Sequence, residues 1–87
     1  MSDVLFFMME SCPHCKKAKE YINSLTRNNG TYAAVKIEMI DEVRHPEIAE
    51  KYDYYYVPTF FINGVKVHEG TVNLEQIKAV LDKAVAE

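Results

Sequence analysis

Residues 4–15 read Val4-Leu5-Phe6-Phe7-Met8-Met9-Glu10-Ser11-Cys12-Pro13-His14-Cys15. An unbroken apolar run, Val4 to Met9, gives way to a Cys-x-x-Cys that holds the only two cysteines of the 87-residue chain. A short continuous apolar run suits a strand buried on both faces. From Pro13 the period changes. Cys15, Ala18, Ile22 and Leu25 recur at helical spacing, with Lys16, Lys17, Lys19 and Glu20 around the rest. Pro13 fits the first helical turn, where its missing N–H costs nothing. The stretch therefore predicts a buried strand, a turn, and a helix that begins on two thiols. In that setting a Cys-x-x-Cys reads as a redox pair that closes and reopens a short disulfide.

The two thiols are not equivalent. Cys12 is expected at the helix N-cap, where free amide N–H groups and the helix dipole favour an anion. It is the expected nucleophile, because the thiolate is the reactive form. Cys15 lies three positions further on, inside the helix. It is expected to be more buried and to resolve the mixed disulfide by attacking Cys12. A cationic or hydrogen-bonding imidazole at His14 would stabilise the thiolate and make the couple more oxidising. Pro13 and His14 are thus the expected tuning positions.

Further along, Asn28-Asn29-Gly30 is expected to end the first helix. Val35, Ile37 and Met39 alternate with Lys36 and Glu38 and predict a second strand. His45-Pro46-Glu47 marks another helix start, with Ile48, Ala49 and Tyr52 facing the core. Pro58 to Ile62 reads as a third strand. Asn63-Gly64 is a hairpin turn, and Val65 to His68 is the returning strand. Asn73 with Gln76 fits an N-cap and its box partner. Leu74, Ile77, Val80, Leu81 and Ala84 form the stripe of a last helix. The order is β-α-β-α-β-β-α. Two strand-helix-strand units predict parallel pairing, with the hairpin adding an antiparallel edge.

Composition bounds the function. A single domain over residues 1–87, 48% hydrophobic, can bury one core. Two cysteines are too few for a secreted disulfide scaffold. A net charge of −3 argues against nucleic acid as a partner. No apolar tract approaches the roughly 20 residues of a membrane span. The N-terminus carries no basic and apolar leader, so the cytoplasm is the expected location and no membrane partner is expected.

With these elements in place the chain resembles the thioredoxin superfamily, and most closely its compact glutaredoxin/thioredoxin-like members. Cys12-Pro13-His14-Cys15, Tyr56-Val57-Pro58-Thr59 and Gly70 carry the resemblance. It implies an α/β thioredoxin-like fold, a four-stranded mixed sheet flanked by three helices. It implies a cis Val57–Pro58 bond beside the cysteines, with the Val57 backbone pairing with bound substrate. The implied activity is thiol–disulfide exchange, with Cys12 attacking and Cys15 resolving. The implied partners are a protein disulfide or a glutathione mixed disulfide, and a reductase, either thioredoxin reductase or the glutathione system. Glutathione is a candidate electron donor, no bound cofactor is implied, and a monomer is expected. The Cys-Pro-His-Cys motif also occurs in thiol oxidases with a large helical insertion, for which this chain has no room.

The chain departs from both subfamilies. Many glutaredoxins have a lysine where Met9 stands here. They carry Gly-Gly and aspartates where this chain has Glu69-Gly70-Thr71-Val72-Asn73, leaving Gly70 and Thr71 as the matching contact positions. Thioredoxins have a tryptophan at the place of Ser11 and a buried acid at the place of Phe6. The rival within the class is a glutathione-dependent glutaredoxin that uses Cys12 alone. The rival of another class is a metal-binding or non-catalytic adaptor. A structural zinc needs four ligands, and only His14, His45 and His68 could supplement the cysteines, so no metal is expected. Tyr54-Tyr55-Tyr56 is read first as packing and loop cover, and second as a groove lining beside Pro58. The acidic residues Glu38, Asp41, Glu42, Glu47, Glu50 and Asp53 are read as solvated surface.

Overall fold

β1 (Val4–Met8) lies inside a four-stranded sheet ordered β2-β1-β3-β4. The computed structural model describes residues 1–87. After β1 come α1 (Pro13–Asn28), α2 (Gly30–Ala33), β2 (Ile37–Asp41) and α3 (Pro46–Ala49), then β3 (Thr59–Ile62), β4 (Val65–Glu69) and α4 (Leu74–Ala86). This is a thioredoxin-like fold with a mixed sheet. It has four helices rather than three, because Asn29 does more than end α1. Its side chain accepts the N–H groups of Thr31 and Tyr32 and so caps the short α2. The helix displaces Val35 from the predicted second strand, which begins at Ile37.

Strand direction corrects a second expectation. β1 and β2 are parallel, but β3 is antiparallel to β1 and to β4. A parallel return needs a crossover, usually a helix, that carries the chain back along the sheet. α3 has only four residues. The chain therefore enters β3 from the end of the sheet where β2 stops. The hairpin is as expected: Asn63 (φ 52°) and Gly64 (φ 78°) adopt the left-handed turn that joins β3 to β4.

Alternation along β1 divides the core. Val4, Phe6 and Met8 face α1 and α4, in one cluster with Cys15, Ala18, Phe60, Ile62, Ile77 and Leu81. Phe7 faces the other side with Ile40 and Phe61, where Tyr52 and Tyr54 cover it. Phe6 and Phe60 are cross-strand partners, stacked with ring centroids 4.7 Å apart. Such a pair contributes about 0.5–1.5 kcal/mol beyond its burial. Phe6 and Phe60 share their buried cluster with Cys12 and Cys15, so the sheet and the Cys-x-x-Cys turn belong to one core. The predicted box at α4 is present: Asn73 Oδ1 accepts from Gln76 N at 2.8 Å and Gln76 Oε1 from Asn73 N at 3.0 Å.

Candidate active site

The end of β1 and the start of α1 hold the two thiols. The chain leaves β1 at Met8, and Cys12 N–H donates back to Met9 O at 3.2 Å. Cys12 is the N-cap of α1 in extended conformation, with Pro13 in the first turn. Its Sγ accepts the Cys15 N–H at 3.2 Å. That is one of the free amides a helix start leaves over, aimed at the sulfur. Both cysteines are free thiols. Cys12 retains 8% of its exposure and Cys15 only 1%, so Cys12 is the sulfur a substrate can reach. Burial pushes the Cys15 thiol up to about 12, and its hydrogen bond to Cys12 adds to this. A backbone bond to Met9 and the charge of Lys19 pull the other way.

The β3 side completes the site. Val57–Pro58 is a cis peptide. Cys12 Sγ lies 3.8 Å from Val57 O, a thiol–carbonyl hydrogen bond between segments 45 positions apart. Pro58 is buried, and its carbonyl accepts Gly70 N–H at 2.9 Å. Gly70 has φ 95°, a left-handed conformation that glycine adopts without strain. Thr59 is the one polar residue in the buried core, and its hydroxyl donates to Tyr56 O. Phe6 fills the position where a buried acid was in question, so no carboxylate stands in the core beside Cys15.

The predicted site residues thus fall into two sets. Hydrogen bonds bring Cys12, Cys15 and Val57 together, and Pro58 and Gly70 join them through the backbone. His14 is exposed on the first turn of α1, without a hydrogen-bond partner. Tyr56 is 69% exposed, and its ring stands in solvent next to Val57. Thr71 is exposed too, and its carbonyl accepts from His68 Nε2 at 2.9 Å. No group of three His, Cys, Asp or Glu side chains is placed to hold a metal ion.

Of the tyrosine triplet, only Tyr54 takes the packing role. Tyr54 packs on Phe7 with ring centroids 4.9 Å apart, while Tyr55, 85% exposed, and Tyr56 point outward. Three carboxylates assigned to solvent or to a lost contact have structural partners instead. Tyr54 Oη donates to Glu42 Oε1 at 2.8 Å, and burial with that bond raises the Tyr54 phenol. Asp41 Oδ1 accepts Val43 N–H at 2.9 Å and turns the chain after β2. Glu69 Oε2 accepts the N–H groups of both Tyr55 and Tyr56, the latter at 2.8 Å, while Lys66 Nζ holds Oε1 at 2.7 Å. These contacts keep the Glu69 carboxyl down at about 2, the lysine bond foremost. Only the Lys66-to-Glu69 spacing hints at this, and the tyrosine amides that bond Glu69 lie 13 and 14 positions from it.

A helix capped by a thiol, a second thiol beneath it and a cis-proline loop against the capping thiol define a thioredoxin-type dithiol domain. The family model described as Thioredoxin domain matches residues 3–82, and the chain belongs to that family. Among solved structures it is similar to oxidised thioredoxin from Plasmodium falciparum, with TM-score 0.73 and 24% identity over 94% of this chain and 79% of the other. It is similar to desulfothioredoxin from Desulfovibrio vulgaris Hildenborough, with TM-score 0.70 and 22% identity over 94% and 80% of the two chains. A protein disulfide oxidoreductase from Aeropyrum pernix matches at TM-score 0.65 and 23% identity, where this chain covers 99% of itself but 38% of that protein. No curated protein matches the sequence. No helix is long and apolar enough to cross a membrane.

Proposed function

We propose that the protein is a thiol–disulfide oxidoreductase that reduces or exchanges peptide disulfides through a reversible Cys12–Cys15 couple. The observation that carries this is the placement of Cys12 Sγ. It sits at the α1 N-cap, 3.2 Å from Cys15 N and 3.8 Å from Val57 O. Membership of the thioredoxin domain family supports it.

The exchange runs in two steps. The Cys12 thiolate attacks one sulfur of a substrate disulfide. A Cys12–substrate disulfide forms, and the other substrate sulfur leaves as a thiolate. Cys15 then attacks Cys12 Sγ, the Cys12–Cys15 disulfide forms, and the second substrate sulfur departs. Two electrons pass from the protein dithiol to the substrate. Cys15 starts this step as a neutral thiol, because burial and its bond to Cys12 raise it to about 12. The core offers it no carboxylate, so its proton goes to the departing substrate sulfur. Val57 supplies a backbone edge for the substrate strand, and His14 tunes the couple from the exposed side. Reducing equivalents return from a reductase, with thioredoxin reductase and the glutathione system as the two candidate donors. The cytoplasm suits such a cycle, since a Cys-x-x-Cys there is used transiently.

The test is reduction of a peptide disulfide by the reduced protein and by two serine variants. Cys12→Ser is expected to abolish the reaction, and Cys15→Ser to stop it at the mixed disulfide. Full activity of Cys12→Ser would overturn the proposal. Running thioredoxin reductase with NADPH beside glutathione with its reductase identifies the donor. Full turnover of glutathionylated peptide by Cys15→Ser would move the chain to the monothiol, glutathione-dependent class.

A further inference from the structure

We infer that Glu69 is a positioning residue that sets the substrate class of this site: uncharged or basic peptide disulfides, in preference to carboxylate-bearing ones such as oxidised glutathione. The inference rests on the dithiol-exchange reading above.

The segment from Asp53 to Pro58 has no helix or strand of its own. Its backbone groups need partners from elsewhere. The N–H groups of Tyr55 and Tyr56 both go to Glu69 Oε2. The backbone of Glu69 lies opposite Thr59 in the β3–β4 ladder, and the next residue, Gly70, holds Pro58 O at 2.9 Å. One residue therefore grips the chain on both sides of Val57–Pro58, by its carboxylate ahead of the bond and by its strand behind it. Thr59 adds a third tie to Tyr56 O. The Val57 carbonyl is held next to Cys12 Sγ as a result.

Specificity follows from the same contacts. Two successive backbone N–H groups converging on one oxygen make an anion-binding concavity. Here it is filled from within by a side chain that is 18% exposed and anchored by Lys66. An incoming carboxylate finds these donors taken and the Lys66 ammonium beside them already paired. A neutral or basic peptide strand meets no such penalty and finds the Val57 backbone already in place.

The experiment measures second-order rate constants for oxidation of the reduced protein by three disulfides. One is a peptide disulfide with acetylated and amidated ends. The second is oxidised glutathione. The third is 2-hydroxyethyl disulfide, which has neither peptide backbone nor charge. Glu69→Gln is expected to slow the peptide reaction about tenfold and to leave the 2-hydroxyethyl disulfide reaction within about twofold. The ratio of peptide to glutathione rate constants should fall about tenfold or more. In the same variant the Tyr55 and Tyr56 amide protons should lose their protection from exchange. A folded Glu69→Gln protein with an unchanged ratio overturns the inference, and so does an equal loss on all three disulfides. Should Glu69→Gln not fold, Lys66→Met decides. A drop of about threefold with the peptide alone supports the inference, and an unchanged peptide rate overturns it. Wild-type protein inert to all three disulfides would instead defeat the exchange reading itself.

Discussion

Cys15 N–H donates to Cys12 Sγ at 3.2 Å, and this bond joins the reachable sulfur to the helix that carries the hidden one. It gives the two thiols opposite environments three residues apart. The amide is aimed at the Cys12 sulfur, while burial keeps Cys15 neutral.

Selective alkylation follows. With its thiol pushed up to about 12, Cys15 presents roughly one thiolate in ten thousand molecules at pH 8. Iodoacetamide at that pH is expected to modify Cys12 and leave Cys15 intact in the folded, reduced protein. Peptide mapping by mass spectrometry reads the result. Equal labelling of the two cysteines would remove the asymmetry on which their roles depend.

Alkaline stability should depend on redox state. Cys15 titrates from an ordinary value of 9.0 in the unfolded chain and about 12 in the folded one. Because the folded value is raised, its contribution is complete below pH 9 and is lost as pH climbs toward 12. The loss is at most about 1.4 kcal/mol per pH unit for one proton. Tyr54, raised by burial and Glu42, and Tyr32, raised by its bond to Asp82, lose theirs in both redox forms. The oxidised protein has no Cys15 proton to lose. Urea unfolding at pH 8 and pH 10 should therefore show a steeper decline for the reduced form. Parallel declines would place Cys15 in a more polar setting than this structure gives it.

Acid should release the docking loop late. Lys66 and the Tyr55 and Tyr56 amides hold the Glu69 carboxyl at about 2, below an ordinary value of 4.5. Since the folded value is lowered, the contribution is present above pH 4.5 and disappears as pH falls through 2. The Tyr55 and Tyr56 amide resonances are expected to stay at their neutral-pH positions at pH 4 and to move only near pH 2. Movement centred on pH 4.5 would show that the clamp is not formed in solution.

The capping box supplies a change that affects stability alone. Asn73 and Gln76 satisfy each other's backbone N–H at the start of α4. Asn73→Ala is expected to cost about 1 kcal/mol. The rate of disulfide exchange should not change, because α4 packs on the core and contributes no group to Cys12. A loss of exchange without loss of stability would contradict this division of labour.

What could be read from the chain was whatever a few neighbouring residues decide. The Cys12-Pro13-His14-Cys15 helix start, the Asn63-Gly64 turn and the Asn73–Gln76 box each lie within four positions, and each is in the structure where expected. The direction of β3 was not legible, because it depends on whether the β2–β3 connection runs back along the sheet. His45-Pro46-Glu47 marks the start of a short helix but not that it ends at Ala49, before Tyr52. Asn29 reads as a terminator, since ending α1 and opening α2 draw on the same residue type. The Glu69 clamp was hidden for a different reason. Its partners are backbone amides, which carry no side-chain signature, and only the hairpin fold brings them near.

The most direct test of the central claim is the trapping of the mixed disulfide. Cys15→Ser protein, reduced and then exposed to an excess of oxidised peptide, should accumulate one peptide per chain, attached at Cys12 and released by dithiothreitol. Cys12→Ser treated in the same way should carry almost none. Attachment at Cys15 in the Cys12→Ser protein at a comparable rate, or no adduct on either variant, would contradict the account.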